Sequence, residues 1–229
     1  MNGGDGTDLI RYDRSGVDAV RVDLDRGFAE GTWGGEDFRD KLISIENVRG
    51  SRDGDDTIHG SDAGNQIQGR GGNDRLFGHG GNDSLFGEDG DDHVFGGDGS
   101  DNLLGGEGND RMLGGNENDS LWGHNGDDKL FGDAGDDYLD GGTGNDTLTG
   151  GEGFDSFVFN GGNDRITDYA SESITIDSEL LGGQANAQSA VDGAEIVDGS
   201  IVVDFGGGNS LRLLNYDDLD QFWATTFVL

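Results

Sequence analysis

The residues with most chemistry in this chain are carboxylates set nine apart: Asp74, Asp83, Asp92, Asp101, Asp110, Asp119, Asp128, Asp137, Asp146, Asp155 and Asp164. Asp56 leads the series, and Asn65 is the one substitution in it. Stacked like charges repel at short range, and a hard divalent cation resolves that repulsion. Calcium takes six to eight carbonyl and carboxylate oxygens in irregular geometry, whereas magnesium demands a tighter octahedron and keeps its waters. Zinc needs His or Cys, and the series offers neither in register.

The aspartates belong to a nine-residue phrase repeated thirteen times from Ser51 to Thr167, in units beginning at Ser51, Gly60, Gly69 and so on to Phe159. A fixed period of this kind has to be read before anything else. Position one is Gly in eleven units and position four in eleven, with Ala63 and Glu117 as interior exceptions; position six is Asp in twelve. Position eight is apolar in all thirteen, from Ile58 and Ile67 through Met112 to Phe157 and Ile166. Positions seven to nine read as a three-residue strand whose position eight points inward. Positions one to six read as a turn, where glycine permits backbone conformations closed to other residues and lets carbonyl oxygens crowd together. Turn chemistry alone does not require Asp at one position twelve times.

Outside the array, Gly3–Arg11 is one complete copy of the phrase, so the chain reads as a terminal piece of a longer design. Val20, Val22 and Leu24 alternate with charged residues as a half-buried strand. Residues 27–40 read as a charged, Gly-rich loop anchored by Phe28, Trp33 and Phe38, and residues 12–50 as an irregular capping coil. After Thr167, Ile174 and Ile176 alternate with polar residues, and Glu195–Val197 and Ile201–Val203 flank Asp198-Gly199, a two-residue hairpin signal. Gly206–Asn209 gives a second turn, and Asp217–Trp223 reads as a short helix. The expected division is 1–50 N-terminal coils, 51–167 repeat array and 168–229 a small β cap that protects the last strand from pairing with another chain.

A net charge of −34 with 47 Gly and no Cys or Pro argues against nucleic acid and anionic membranes as partners. No apolar run is long enough to span a bilayer, and Met1–Asp5, with neither a basic stretch nor an apolar core, gives the expectation of no Sec-type leader. Disulfides and thiolate sites are excluded. His59, His79, His93 and His124 fall on outward strand positions or on position two, and no HExxH pair, nucleophile elbow or phosphate loop is present. Carboxylates are too numerous for one pair to stand out as acid and base, so no enzyme is expected. No Asp-x-Asp-x-Asp-Gly stretch is followed by an EF-hand glutamate.

The phrase Gly-Gly-x-Gly-x-Asp-x-apolar-x, cleanest at Gly105–Leu113 and Gly141–Thr149, resembles the RTX, or haemolysin-type, calcium-binding repeat. Ser44–Ser51 looks like the lead-in to such arrays, and Gly150–Phe159 is similar to the closing repeat of serralysin-type rolls. The likeness covers 3–11 and 44–167 and is looser over 168–229. It implies an all-β fold: a right-handed parallel β-roll, or β-helix solenoid, of nonapeptide repeats with an irregular N-terminal coil and a small C-terminal β cap. Two units make one coil, so like positions stack every eighteen residues.

The resemblance also implies the ligands. Each calcium takes the carbonyls of positions two and four and the position-six Asp of one turn. The turn eighteen residues on adds the carbonyls of positions one and three and its own Asp. For the Gly69 and Gly87 turns these are Arg70, Gly72, Asp74, Gly87, Asp89 and Asp92. The same rule assigns Glu88 and Gly90, His79 and Gly81, and Gly96, Gly97, Asp98 and Gly99. It continues through Gly105, Gly106, Glu107 and Gly108, then Gly114, Gly115 and Asn116, then Gly123, His124, Asn125 and Gly126. It ends with Gly132, Asp133, Ala134 and Gly135, and with Gly141, Thr143 and Gly150. The Gly60 turn, with Ala63 and Asn65, and the Glu117 turn are the weak joints. About eight to ten Ca2+ ions are expected, and ten would cut the charge from −34 to about −14.

One face differs from the other. Outward positions seven and nine read Arg75/Phe77, His93/Phe95, Arg111/Leu113 and Lys129/Phe131 on one side and Ser84/Phe86, Asn102/Leu104, Ser120/Trp122 and Tyr138/Asp140 on the other. Cross-strand ladders account for this; a docking surface for an acidic polysaccharide or a neighbouring domain is the sharper alternative. The function expected is a calcium-binding, non-enzymatic module of a secreted bacterial protein, folding on calcium after export by type I machinery. Asp217, Asp218 and Asp220 before Phe227-Val228-Leu229 fit that family's uncleaved signal. Alternatives are a calcium-dependent adhesin or surface structural protein and a polysaccharide-targeting module of a larger secreted enzyme. The location expected is extracellular or cell-surface.

Overall fold

The computed structural model describes residues 1–168, 173–176, 195–198, 200–214 and 227–228. Among them the chain is all β, with no helix. The N-terminal strands are β1 (Leu9–Arg11), β2 (Val17–Asp23), β3 (Phe28–Trp33), β4 (Glu36–Lys41) and β5 (Asn47–Arg49). Thirteen array strands follow, from β6 (Thr57–Ser61), β7 (Gln66–Gly71), β8 (Arg75–Gly80) and β9 (Ser84–Asp89) onward to β18 (Asn163–Ile166). β19 (Ser173–Ile176), β20 (Glu195–Val197), β21 (Ser200–Gly206), β22 (Asn209–Leu214) and β23 (Phe227–Val228) complete the order.

Successive array strands go alternately to two sheets, and neighbours within a sheet pair in parallel eighteen residues apart, as in Val94 with Met112 and Leu103 with Leu121. This is the parallel β-roll that the family resemblance implies. Each position eight points between the sheets, and all thirteen are buried. Ile10, Val48 and Val22 extend the two files toward the N-terminus, and Leu213 extends one beyond Ile166. The core of the array is thus two files of side chains, one residue from each strand except β17 (Ser156–Phe159), which adds Phe159 to Phe157.

The strands are longer than the three residues expected. Most run through position three, as Arg75–Gly80 and Asn102–Glu107 do. The ladder pairs positions seven to nine, steps over position one, and resumes: Phe95 pairs with Leu113, then Gly97 with Gly115. The glycine at position one is the kink that lets hydrogen bonding restart.

Residues 27–40 are not a loop. β3 and β4 form an antiparallel hairpin from Phe28↔Lys41 to Trp33↔Glu36, closed by Gly34 (φ 61°) and Gly35 (φ 84°). Two left-handed residues match the twist of a tight hairpin. Phe28 and Phe38 are half-buried anchors, Phe38 stacking on Tyr12 at 5.6 Å. Trp33 is no anchor, being 53% exposed. At the other end, β22 lies parallel on β18 while β21 and β20 turn back antiparallel, Val197 pairing with Ser200. The C-terminal β cap is therefore present. The expected helix at Asp217–Trp223 lies outside the described residues.

Candidate metal centre

Every position-six aspartate from Asp56 to Asp164 is at most 2% exposed. The turn folds the carboxylate back over position one of its own unit. At Gly87 an added Cβ would collide with Asp92 Oδ2 and lie 2.7 Å from the Gly105 carbonyl oxygen of the next coil; Gly78 and Gly96 repeat this with Asp83 and Asp101. Glycine is needed at position one for space. Positions two and four need it for conformation: Gly97, Gly106 and Gly115 at position two, and Gly90, Gly99 and Gly108 at position four, have φ between 120° and 130°. Arg70, His79, Glu88, His124 and Asp133 occupy position two with φ from 74° to 92°, and Glu117 sits at position four with φ 78°. L-residues pay about 1–2 kcal/mol to hold that region.

Each carboxylate is used asymmetrically. Oδ1 accepts the backbone N–H of the aspartate one coil back, as in Asp74 N–H to Asp92 Oδ1 and Asp83 N–H to Asp101 Oδ1, both 2.7 Å. Oδ2 of Asp74, Asp83, Asp92, Asp101, Asp110, Asp119, Asp128, Asp137, Asp146 and Asp164 is buried with no protein hydrogen-bond partner. Burial raises the pKa of every one of these ten, only partly opposed by the backbone hydrogen bond. Asp74, Asp119 and Asp164 reach about 8, with neighbouring carboxylates adding to the shift. Ten orphaned buried oxygens are a large cost for a protein interior, and the cost points to something that binds there.

The donor set fits calcium. The carboxylate oxygen shares its pocket with a carbonyl of the next coil, while the carbonyls of positions two and four are aimed along the stack. A Cβ at Gly97 would collide with His79 O, and one at Gly108 with Gly90 O. Carbonyls at position three, such as those of Asp89, Glu107 and Asn125, accept the position-four N–H of the preceding coil. No three acidic or histidine side chains converge among the described residues, so any cage here is completed by backbone oxygen. Hard, irregular and oxygen-only is calcium's description rather than zinc's.

The first two turns do not share this geometry. Asp56 receives Val20 N–H and the Ser51 hydroxyl at Oδ1 and Ser51 N–H at Oδ2. Asn65 receives Ser61 N–H and donates Nδ2–H to the Glu46 carbonyl at 2.7 Å. Neither turn is left-handed at positions two and four. Sequence reasoning missed a second ladder at position five. Asp55, Asn73, Asp91, Asn109, Asp127 and Asn145 each accept the N–H of the residue eighteen later. The alternation of Asp and Asn in every second unit was the available signal, and it halves the charge on that column.

A stacked acidic β-roll with an orphaned carboxylate oxygen in ten of its turns defines a calcium-binding repeat protein. The profile of the RTX calcium-binding nonapeptide repeat (4 copies) matches residues 51–85, 68–103, 77–112, 104–139 and 131–166, just over half of the chain. The chain belongs to the RTX calcium-binding repeat family. Among solved structures it is similar to the extracellular lipase LipA from Serratia marcescens, at 19% identity and a TM-score of 0.39, over 74% of this chain and 40% of that one. The chain thus spans less than half the length of that lipase. No curated protein matches it.

Proposed function

We propose that this chain is the calcium-binding module of a secreted bacterial protein, non-catalytic itself, and folded by calcium after export through type I machinery. The observation that carries the reading is the two stacks of aspartates, ten of which have one buried, unpartnered oxygen each. In this reading 51–167 is the metal-binding part, and 1–50 and 168–229 are its two ends. The ligands are the position-six carboxylates with the carbonyls of the turns above and below, and the Asp56 and Asn65 turns hold no ion. A site absent from the unfolded chain makes metal affinity and folding one process, and net charge of −34 opposes collapse until cations neutralise it. Calcium titration followed by circular dichroism tests this: β-sheet signal should appear with calcium and vanish on adding EGTA. A chelator-insensitive spectrum overturns it.

One observation favours a targeting role beside calcium binding. Arg75, His93, Arg111 and Lys129 lie in register on four successive strands of one sheet, interleaved with Phe77, Phe95 and Phe131. None of the three cations makes an ion pair among the described residues, although the molecule is strongly acidic; Arg111 lies over the Phe131 ring at 4.4 Å. A row of uncompensated cations with ring-stacking surface between them suits an acidic polysaccharide. Reversal of all three to Glu should abolish retention on an alginate column in calcium; retention unchanged by the reversal sinks this reading.

A further inference from the structure

The calcium column begins only above the Ser51 and Gly60 turns, and the outer surface beside those turns carries a different set of ligands. His59 on β6 and His79 on β8 bring Nδ1 and Nε2 to 3.1 Å of one another. The ring of His59 is held flat against Phe77, at 4.4 Å between centroids and 4° between planes, and Phe77 stacks in turn on Phe95 at 4.8 Å and 3°. His79 is exposed and His59 half-buried, so the shared edge of the pair faces solvent. Two nitrogens bonded to one ion at about 2.05 Å and separated by this distance subtend about 100° at it, between octahedral and tetrahedral angles. Imidazole nitrogen suits zinc, nickel and copper, and calcium does not compete for it.

We propose that the imidazoles of His59 and His79 form a two-histidine clip for a divalent transition-metal ion, independent of the calcium column, with water completing the coordination shell. The hydrogen bond that the neutral pair shares is given up: the donor imidazole carries its proton on its other ring nitrogen instead, so both facing nitrogens present lone pairs to the ion. The clip ties the first array coil to the second. That joint lacks the oxygen cage, because Asp56 is already fully hydrogen-bonded and Asn65 bears no charge. It uses the ring of His79, whereas a calcium ligand at that position would be the main-chain carbonyl.

Zn2+ titrated by calorimetry into the calcium-saturated chain tests the clip, with Ni2+ as a second probe. One saturable site is expected, weakened more than about tenfold by His59→Ala and by His79→Ala. Zinc should also raise the melting midpoint of the parent chain and leave that of the double variant where it was. Circular dichroism in calcium confirms that the variants are folded. Absence of saturable binding, or binding that survives in the double variant, overturns the proposal. Calcium-dependent folding is unaffected by either result, so the two readings fail separately.

Discussion

Asp92 accepts the backbone N–H of Asp74 at Oδ1, 2.7 Å away across one coil, and keeps Oδ2 buried without a partner against Gly87. The first oxygen fixes the stacking register and the second is left for a ligand. The same division recurs through the array, so the stacking contact and the unpartnered oxygen lie on opposite sides of one carboxylate.

Asp92→Asn should therefore change sign with calcium. Oδ1 still accepts from Asp74, while the new amide N–H faces the Gly105 carbonyl and removes an unpartnered buried oxygen. Asn65, in the reverse orientation, already satisfies both amide atoms, Oδ1 accepting Ser61 N–H beside Gly60 and Nδ2–H donating to the Glu46 carbonyl. Without calcium the variant should be about 1–3 kcal/mol more stable than the parent, by the usual cost of an unsatisfied buried polar group. In saturating calcium it should be less stable, having lost a charged ligand. Urea unfolding in EGTA and in calcium measures both, and a loss in EGTA refutes the account.

The raised pKa values give a pH dependence of definite sign. Asp74, Asp119 and Asp164 move from 3.8 to about 8 when buried in the metal-free fold. The folded form then binds more protons than the unfolded chain between about pH 4 and pH 8, and its stability falls as pH rises through that window. Calcium must displace those protons, so its affinity should rise over the same range. Sheet signal in EGTA should grow on acidification from pH 8 to pH 4. The calcium midpoint should rise more than about tenfold from pH 7.5 to pH 5.5. A midpoint insensitive to pH contradicts the burial of these groups.

The space at position one and the conformation at position two can be separated by three alanines. Gly87→Ala drives a methyl into Asp92 Oδ2 and against the Gly105 carbonyl. Gly106→Ala combines a positive φ of 129° with a collision against Glu88 O, whereas Gly4→Ala has φ 101° and nothing within 4 Å. Gly4→Ala should cost about 1–2 kcal/mol. The other two should cost more, and their calcium midpoints should rise; that of Gly4→Ala should stay. Equal losses at all three would mean that the stack is not held together at these glycines.

What the sequence disclosed depended on the period. Position eight and position six were legible because one inward side chain and one carboxylate recur at a fixed phase. The β3–β4 hairpin was not legible because Glu36, Asp37, Arg39 and Asp40 break any apolar alternation; only the Gly34-Gly35 turn marked it. Asp56 looked like its successors in sequence. It differs because Val20 N–H, from a segment outside the repeat, reaches its Oδ1 at 2.7 Å, and no local pattern announces a contact thirty-six residues away. The extra length of the strands was hidden by glycine at positions one and two, which weakens strands in general and here serves as the ladder's hinge.

Glu117 is where the phrase and the fold disagree most. It holds φ 78° at a position that is left-handed glycine in its stacked neighbours Gly99 and Gly135, and its carboxylate adds to the upward shifts of Asp101 and Asp119 after burial has set them. Two costs are therefore superposed, one conformational and one electrostatic. Glu117→Gly removes both; Glu117→Ala removes the charge and leaves a side chain at positive φ. Glycine should exceed alanine by about 1 kcal/mol, or about 2–4 °C in melting midpoint for a chain of this size, with or without calcium. Alanine should exceed the parent mainly in EGTA, where no cation offsets the repulsion. A parent more stable than Glu117→Gly in calcium alone would show instead that the Glu117 carboxylate reaches an ion, and the calcium midpoint of the two variants would then rise together.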